Sequence, residues 1–552
     1  MVAMRTLRST VVCMAMVAVA CSSTGSDRPV QPNPPAVAEP PVDGGTLVLR
    51  LAAEPGCFDW FGPCGSGAGP LRTLLLPHAV AFVDGRYAPT PVLASEPVQD
   101  KGPPHRLTYR IDPRAAWSDG VPITSSDFRY TWDQAVNATG IANRTGFEQI
   151  ENVDDTDPKT AVVTFKQPYA GWYNPFGTLQ GIFPKHLLEG KDRTAEMKDG
   201  YTWSGGPWKL DRWTKGQEIR LIPNPAYWGK KPHLDALVFR VIPDSGAALA
   251  AYKTGQVSVI QGVPPEVTLA ELESLADTTV ETTVTLNVNG LLFNTERAPL
   301  DAVPVRQALA HATDRDALVQ QAFGLLKPDL KPVQAMMTPA NGRWYLEPFA
   351  RYKPDLARVD QLMRGAGWAR GSDGIWVKSG QRAEIEVVGP AGNKGVELQD
   401  QILQSQWKEA GFEAKITNVA NPLDLMRRGA FHVAFSTQSY PSDDPSRCSL
   451  LCSRNTPSPA NGLSGQNMSR INDPAHDAAW DRVNNEVDEA KRLEALKAAY
   501  QITAELVPVL PTAPGLSLLV YNNSHLRGIR NDAGPNGPFH GTTDWFCRGG
   551  TC

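Results

Sequence analysis

The sequence predicts an α/β fold divided into two or more lobes. Strand-like stretches, in which polar and apolar residues alternate, recur between helix-like stretches, and this order implies mainly parallel sheets with crossover connections. The chain has 552 residues, too many for one hydrophobic core of ordinary size. Its hydrophobic content of 41% and charged content of 20% are typical of a soluble globular protein.

Charge and motif content argue against several function classes. The net charge is −4, and no basic block predicts nucleic-acid binding. The sequence contains no Gly-x-Ser-x-Gly elbow, His-Glu-x-x-His zinc motif, Walker A motif or Gly-x-Gly-x-x-Gly motif. We therefore expect a binding protein rather than an enzyme, with no catalytic residue, no metal and no cofactor.

The first 20 residues are typical of an export signal. Arg5 and Arg8 precede the apolar stretch Ser9–Ala20, which has signal-peptide length and is too short to span a membrane. Ala18-Val19-Ala20-Cys21 resembles the bacterial lipobox, with Ala18 where leucine is usual. This resemblance implies cleavage before Cys21 and lipidation of its thiol. An ordinary secretory signal is the alternative.

Residues 21–43 are predicted to form a flexible tether behind the lipidated cysteine. The run SSTGSDRPVQPNPPAVAEPPV is rich in serine and proline, so it cannot bury enough apolar surface to fold. Together with the lipobox it predicts an extracytoplasmic protein that a lipid anchors to the outer face of the cell membrane.

Six further cysteines stand as close pairs in the sequence. The pairs are Cys57 and Cys64, Cys448 and Cys452, and Cys547 and Cys552. Three local disulfides are the simplest connectivity for an exported chain. Metal ligation is the alternative, but no pair has a histidine at zinc-ligand spacing.

The first strand and the loop behind it supply the first candidate ligand contacts. Gly45–Leu51 alternates as a strand does, and a predicted Cys57–Cys64 loop follows it. That loop carries Trp60 and Phe61. An aromatic ring on a braced loop offers a large contact area at a small entropy cost, so we predict that both residues contact a ligand. The alternative is that Trp60 packs over the loop.

A strand, a turn and a capped helix come next. Leu107–Ile111 is predicted to be a strand and Trp117–Gly120 a glycine turn. Thr124 is placed to cap the helix that follows. We expect Trp117 and Trp132 to lie in the core.

The stretch Trp208–Ile260 combines two strands, an aromatic turn and a helix. Gln217–Ile222 and Leu237–Ile242 alternate as strands do. Asn224–Gly229 turns between them because Pro225 restricts the backbone before it. Ser245 is predicted to cap the helix that ends at Lys253.

The ordered motifs of this stretch resemble the signature region of family 5 bacterial solute-binding proteins, the extracytoplasmic receptors of peptide, nickel and related ABC importers. The matching motifs are Gly206-Pro207-Trp208, Asn224-Pro225-x-Tyr227-Trp228, Lys231-Pro232-x-Leu234-Asp235, Arg240-Val241-Ile242-Pro243-Asp244 and Ala250-x-x-x-Thr254-Gly255. Such residues identify a scaffold, and the site must be argued separately.

The resemblance implies an α/β, two-lobed fold like that of periplasmic binding proteins, type II in its large three-subdomain form, with a cleft and a hinge between the lobes. The expected boundaries are a signal peptide at 1–20, the lipidated cysteine and tether at 21–43, lobe I at 44–288 with an inserted subdomain at about 75–200, lobe II at 289–510, and a return to lobe I with a C-terminal tail at 511–552. The crossings between lobes are expected near Leu291 and Pro511.

The second lobe shows the same alternation of strands and helices. Thr285–Asn294 is predicted to be the strand that leads into it. Helices are predicted at Asp301–Thr313, Asp314–Ala322, Leu398–Gly411 and Glu489–Leu506.

The strand Phe431–Tyr440 is predicted to lead to the ligand. In peptide-binding relatives, an aspartate four residues before a proline pairs with the amino terminus of the peptide, but here Pro441 stands four residues before Pro445. Asp443 and Asp444 are the nearest substitutes, and a solvated turn is the alternative. The predicted ligand contacts at this end are Gln438, Ser439, Tyr440, Asp443 and Asp444.

The resemblance therefore implies a monomeric substrate-binding lipoprotein of an ABC importer. It would capture an oligopeptide or a similar amphipathic solute in the cleft and deliver it to a membrane permease. One alternative is a lipoprotein of this fold with a regulatory or scaffolding role in the cell envelope, which the altered turn motivates. Another is an importer receptor for glycans, because 14 Trp and 13 Tyr suit such a ligand equally.

Overall fold

The computed structural model describes residues 40–552 except for positions 60, 63–68, 84, 139–140, 142–143, 145, 178–179, 263–266, 439–443 and 535. The predicted signal peptide, the predicted lipidation site Cys21 and most of the predicted tether lie outside the described residues. No helix in the described part of the chain combines the length and the apolar character needed to cross a bilayer.

Twenty-one strands are assigned within the described residues. In chain order they are β1 (Thr46–Leu51), β2 (Val80–Val83), β3 (Arg86–Pro89), β4 (Val98–Asp100), β5 (Arg106–Arg110), β6 (Ile150–Asp157), β7 (Thr160–Phe165), β8 (Trp208–Thr214), β9 (Glu218–Pro223), β10 (Ala236–Val241), β11 (Val259–Gln261), β12 (Thr278–Phe293), β13 (Ala369–Arg370), β14 (Trp376–Lys378), β15 (Gln381–Arg382), β16 (Glu384–Pro390), β17 (Glu413–Val419), β18 (Val433–Gln438), β19 (Val509–Asn522), β20 (Leu526–Arg527) and β21 (Phe546–Cys547).

Fourteen α-helices are assigned in the same part of the chain, together with short 3₁₀ helices. The α-helices are α1 (Gly69–Leu75), α2 (Ser125–Asn137), α3 (Lys185–Leu188), α4 (Arg193–Glu196), α5 (Ser245–Lys253), α6 (Leu269–Glu273), α7 (Val303–His311), α8 (Arg315–Phe323), α9 (Leu356–Gly365), α10 (Lys394–Glu409), α11 (Pro422–Arg428), α12 (Cys448–Leu451), α13 (Pro474–Asn485) and α14 (Glu489–Leu506).

Ten strands form one mixed sheet, in the order β17-β16-β18-β12-β19-β11-β1-β10-β9-β8. β1 is parallel to β10 and β11, and β16 is parallel to β17 and β18. The remaining neighbours are antiparallel. The expectation of mainly parallel sheets is therefore wrong, because the two long strands β12 and β19 run antiparallel through the middle and β8 and β9 form an antiparallel edge. A separate four-stranded sheet, β4-β5-β7-β6, is also antiparallel.

The large buried clusters fall on the two sides of β12 and β19. We call them the first core (with Leu47, Trp117, Tyr169, Trp208 and Trp545), the second core (with Leu291, Trp376, Trp407 and Leu510) and the third core (with Trp344, Trp480, Val483, Leu496 and Tyr500). The first core draws on both the N-terminal half and the C-terminal tail, whereas the other two draw on residues between β12 and β19. The lobe boundaries themselves stay a prediction.

Local sequence signals account for most helix ends. Thr124 caps α2 through a capping box with Asp127, and the Asp314 carboxylate accepts a hydrogen bond from the first turn of α8. Asp244, not Ser245, caps α5, because its carboxylate accepts from the Ala247 N–H at 2.7 Å. Trp117 is fully buried, as expected for a core residue.

The structure contains disulfides between Cys448 and Cys452 and between Cys547 and Cys552. Cys57 is also disulfide-bonded. Its predicted partner, Cys64, lies outside the described residues.

A buried acid on α10 gives a first testable prediction. Burial raises the pKa of Asp400 to about 6, the Asn418 hydrogen bond works against this, and the Glu397 charge adds to it. Asn418 Nδ2 donates to Asp400 Oδ2 at 2.8 Å, whereas Asp400 Oδ1 and Asn418 Oδ1 have no hydrogen-bond partner among the described residues. Both oxygens are acceptors, so no hydrogen bond can form between them while Asp400 is ionised. Protonation of the Asp400 carboxyl group supplies the missing donor.

Ionisation of Asp400 therefore costs stability, and this cost appears as the pH rises from about 4 through 6. Replacing Asp400 by asparagine should raise the free energy of unfolding at pH 7.5 by about 2 kcal/mol, because the new amide supplies a donor without a charge. At pH 4 the gain should shrink toward zero. Asp373→Asn is the control. Because Arg382 lowers the pKa of Asp373, this substitution should lower the free energy of unfolding at pH 7.5 rather than raise it. Denaturant unfolding at both pH values measures the effect, and a gain that does not depend on pH would contradict it.

Candidate functional site

A cavity of about 620 Å³ lies against the middle of β12 and β19. This volume is within the range of small-molecule binding sites. Its wall combines carboxamide and hydroxyl side chains with apolar ones. The residues that the argument uses are Gln261, Thr285, Asn287, Asn289, Phe323, Thr437, Gly515, Ser517, Asp532, Asn536 and Phe539.

The two long strands separate where the cavity lies. Their regular pairing runs to Val284 opposite Leu516, shifts register before Val288 opposite Pro514, and resumes with Gly290 opposite Pro511. A β-bulge of this kind bends a strand and leaves main-chain groups outside the ladder. Gly515 allows β19 to approach β12 closely at this point, because a Cβ at position 515 would lie only 2.9 Å from Asn287 Cβ.

The same strands connect the two sides of the molecule. Leu291 pairs with Leu510 and Gly290 with Pro511, so the two predicted crossings, Leu291 and Pro511, lie one residue apart in register in one ladder. Because Gly290 has no side chain, its backbone can pack against Leu510 O, which a Cβ would approach to 2.9 Å. The bulged stretch is thus both the wall of the cavity and the part of the ladder with the least regular pairing.

Hydrogen bonds hold several polar side chains of the wall in place. Thr437 Oγ1 donates to Asn289 Oδ1 at 2.7 Å across the β12–β18 pair. The Asn287 N–H donates to Thr285 Oγ1 at 3.3 Å. Asp532 Oδ1 accepts from the Gly534 N–H at 2.6 Å, which fixes the turn that carries Asn536.

Asn536 is 5% exposed, and neither atom of its amide has a hydrogen-bond partner among the described residues. An unpaired buried polar group costs about 1–3 kcal/mol, so such groups in a cavity wall point to a ligand or a water that pairs with them. A carboxamide offers a donor and an acceptor side by side, which matches a peptide group or a pair of hydroxyls.

The wall carries little charge. Asp532 has the one ionisable side chain among the described lining residues. Arg50 stands behind the wall and donates to the main-chain oxygens of Ile242, Pro243 and Gln261 at 2.7–2.9 Å. Its burial lowers the pKa of the Arg50 guanidinium, and Asp244 opposes this. Arg50 therefore joins the end of β11 to the residues that follow β10.

The loop after β1 does not present Phe61 to a ligand. Phe61 is 1% exposed and packs edge-to-face on Phe147 and Phe183, with ring centroids 5.5 and 5.0 Å away. The neighbouring Asp59 accepts from Arg193 Nε at 2.9 Å and is fully buried. The prediction of a ligand contact at Phe61 is corrected, because the ring has no surface left for a solute. Trp60 lies outside the described residues.

Asp444 is not an open carboxylate either. Its Oδ1 accepts from Arg492 Nη2 at 2.6 Å, and the two side chains are 12% and 6% exposed. Burial lowers the pKa of Arg492, but Asp444 and Tyr173 outweigh this and leave it raised. Burial also raises the pKa of the Tyr169 hydroxyl, and Asp444 adds to the shift. Asp444 is thus committed to a buried ion pair rather than available to a solute in this structure.

Of the other predicted ligand contacts, one is buried in the structure and the rest lie outside the described residues. Gln438 is 8% exposed at the end of β18. Ser439, Tyr440 and Asp443 lie outside the described residues. The neighbour that reaches the cavity is Thr437, which sequence reasoning passed over.

A signal for part of this wall was present in the sequence. Thr285, Asn287 and Asn289 alternate in the run TLNVNG, which places three polar side chains on one face of β12. A polar stripe on a central strand is informative because that face is otherwise expected to be apolar. No comparable signal marks Asp532 or Asn536, which lie in the predicted C-terminal tail.

Comparison with known proteins identifies the family. The model described as "Bacterial extracellular solute-binding proteins, family 5 Middle" matches residues 88–458. The chain belongs to this family. Family 5 proteins are extracytoplasmic solute-binding components of ABC transporters, so the chain is a binding protein and not an enzyme.

A curated relative and two solved structures extend this finding. The family 5 chain is 26% identical over 527 residues to protein XP55 of Streptomyces lividans, and the match covers 90% of each chain. Its fold is similar to that of the periplasmic EDTA-binding protein EppA, with a TM-score of 0.82, 22% identity and coverage of 92% and 97%. It is also similar to the oligopeptide-binding protein AppA of Bacillus subtilis in complex with a nonapeptide, with a TM-score of 0.77, 20% identity and coverage of 92% and 100%. At these identities the two structures show the type II periplasmic-binding-protein fold alone.

Proposed function

We propose that the chain is the substrate-binding lipoprotein of an ABC importer, and that it captures an oligopeptide or a similar amphipathic solute between two lobes. In this proposal Cys21 anchors the mature chain to the outer face of the membrane. The lobes span about residues 44–288 and 289–510 and close about β12 and β19. The closed, loaded form then docks on the permease.

The observation that carries the solute class is the wall of the cavity beside β12 and β19, which we call the hinge cavity because the lobes would close about these strands. Its amide and hydroxyl groups, with main-chain groups released by the β12–β19 bulge, can bond to the main chain of an extended peptide. Phe323, Phe539 and the apolar parts of the wall suit side chains of mixed character. Compact anionic chelates fit poorly, because no described lining residue carries a positive charge.

The same wall also suits a neutral polyhydroxyl solute, since carboxamides bond to hydroxyls as readily as to peptide groups. A glycan receptor is therefore the second candidate. A regulatory or scaffolding lipoprotein of the same fold would have no need for a solute that stabilises the closed form.

Thermal melting of the mature, unlipidated chain against a panel of short peptides, oligosaccharides and metal chelates tests these proposals. A solute that binds only the folded chain stabilises it by about 2.7 kcal/mol at 100 times its Kd, so a short peptide should raise Tm measurably. A shift with glycans alone would move the substrate class to sugars. No shift with any solute would favour the regulatory or scaffolding role.

Thr437→Phe should abolish the shift, because the ring would project into the cavity where the solute binds and break the bond to Asn289, while the Tm of the free protein should change little. Thr156→Phe is the matched control, since Thr156 is an exposed strand threonine with a similar side-chain bond to Asp154. Asp443→Ala tests the predicted acidic contact in the same assay. An unchanged shift in Thr437→Phe would place the solute elsewhere.

A further inference from the structure

The segment Gln167–Asn174 leaves the first core and packs against helices α13 and α14 beside the third core. Tyr169 belongs to the first core. Next to it, the Ala170 N–H donates to Asn484 O at 3.0 Å, and Gln167 Nε2 donates to Asn485 Oδ1 at 3.3 Å. These bonds join stretches that lie on opposite sides of β12 and β19.

The Asp444–Arg492 pair lies directly beneath this segment. Asp444 uses its two carboxylate oxygens in different directions. Oδ1 accepts from Arg492 Nη2 at 2.6 Å on α14, whereas Oδ2 accepts from Asn174 Nδ2 at 3.2 Å on the other side of the molecule. A hydrogen bond to a charged acceptor is stronger than one between neutral groups, and a half-buried amide is well placed to form it.

Gly171 makes the close approach possible. A Cβ at this position would lie 2.6 Å from Asp444 Oδ2 and 2.7 Å from the Tyr169 hydroxyl oxygen. Such distances are shorter than van der Waals contact, so any other residue would push the segment off the carboxylate. The fit between Gly171 and Asp444 exists only when the two sides are docked.

We propose that Gln167–Asn174, Asp444 and Arg492 form a latch that holds the two sides of the molecule closed, with the ion pair as its fixed half and Gly171 and Asn174 as its detachable half. The latch rests on the two-lobe closure of the proposed function. It adds a charged contact, outside the described lining of the hinge cavity, that stabilises the closed form even without a solute.

Hydrogen–deuterium exchange of the mature, solute-free chain tests the latch through the Ala170 amide. That amide is protected only while it bonds to Asn484. Asn174→Ala removes the bond to Asp444 Oδ2, one of the bonds between the two sides, and leaves the Asp444–Arg492 pair intact, so exchange at Ala170 should accelerate by about tenfold. Gly171→Ala should have the same effect by steric exclusion. Amides of β5 and β7, in the antiparallel sheet on the same side, should exchange as in the wild type.

Asn137→Ala is the matched control, because Asn137 Nδ2 also donates to an aspartate, Asp133 Oδ1, at 2.8 Å, but within α2. It should leave exchange at Ala170 unchanged. Unchanged Ala170 exchange in both Asn174→Ala and Gly171→Ala would overturn the latch. Equal acceleration at Ala170 and in β5 and β7 would also overturn it, since that result would mean local unfolding. Because no solute is present, this test can fail or succeed independently of the melting panel.

Discussion

Replacing Arg315 by methionine should lower the free energy of unfolding by at least about 5 kcal/mol, the largest effect expected of a single substitution described here. Arg315 is 5% exposed and has no salt bridge among the described residues. It donates instead to four main-chain oxygens at 3.0–3.1 Å, those of Val333, Phe349, Tyr352 and Pro511. Methionine fills similar space but removes the donor to all four oxygens, and of these Phe349 O keeps a second donor, the Tyr352 N–H at 3.1 Å.

This arginine joins β19 to two segments between α8 and α9, because Pro511 lies in that strand and the other three acceptors lie in those segments. Burial lowers its pKa to about 10, so it stays charged at neutral pH. Lysine should not restore stability, since a single ammonium cannot reach the four oxygens that a planar guanidinium serves. Chemical denaturation followed by far-UV circular dichroism measures the loss.

Arg358→Met is the control for the Arg315 experiment. Arg358 lies on the exposed face of α9 and bonds to Gln361, so its replacement should change stability by less than about 0.5 kcal/mol. Equal effects of the two substitutions would contradict the role assigned to the buried oxygens.

Replacing Arg492 by methionine should cost about 3–5 kcal/mol, because it leaves Asp444 as a buried charge without its cation. Arg492 Nε also donates to Val483 O at 2.8 Å, and its guanidinium lies 5.8 Å from the Trp344 ring centroid. The loss should therefore include contacts between α14 and the third core. The same denaturation assay measures it.

Two further variants separate charge from packing. Adding Asp444→Asn to Arg492→Met should restore part of the stability, since the unpaired charge is gone. Arg343→Met breaks the exposed pair with Glu489 on the same helix, whose side chains are 55% and 63% exposed, and should cost no more than about 1 kcal/mol. If Arg492→Met lowers the free energy of unfolding no more than Arg343→Met does, the buried Asp444–Arg492 pair stabilises the fold no more than an exposed pair.

Local patterns in the sequence identified individual elements well. The capping box of Thr124 and Asp127, the aspartate cap of α8 and the alternation in β1, β9 and β10 depend on residues close in the chain, and the structure has each of them. The ordered motifs between Gly206 and Gly255 identified the family for the same reason. Such signals are local, so a single sequence contains them in full.

The sequence places the two crossings near Leu291 and Pro511, but it does not show that they belong to one ladder. In the structure β19 extends from Val509 to Asn522 and pairs with β12 along most of its length. Strand pairing over more than 200 residues has no local signature, and the prolines and Gly515 in β19 suggest breaks rather than a bulge.

The sequence by itself determined the family, the α/β class, the close cysteine pairs and most element positions, because all of these depend on residue types at short spacing. Only the tertiary structure decided which polar groups meet. It placed Asn174 against Asp444 across 270 positions and Arg492 against it across 48, and it buried Phe61 in an aromatic cluster. It also brought Asp532 and Asn536 from the C-terminal residues to the cavity beside β12 and β19. Whether a carboxylate faces a solute or a guanidinium depends on which distant segment packs against it, and no local pattern records that choice.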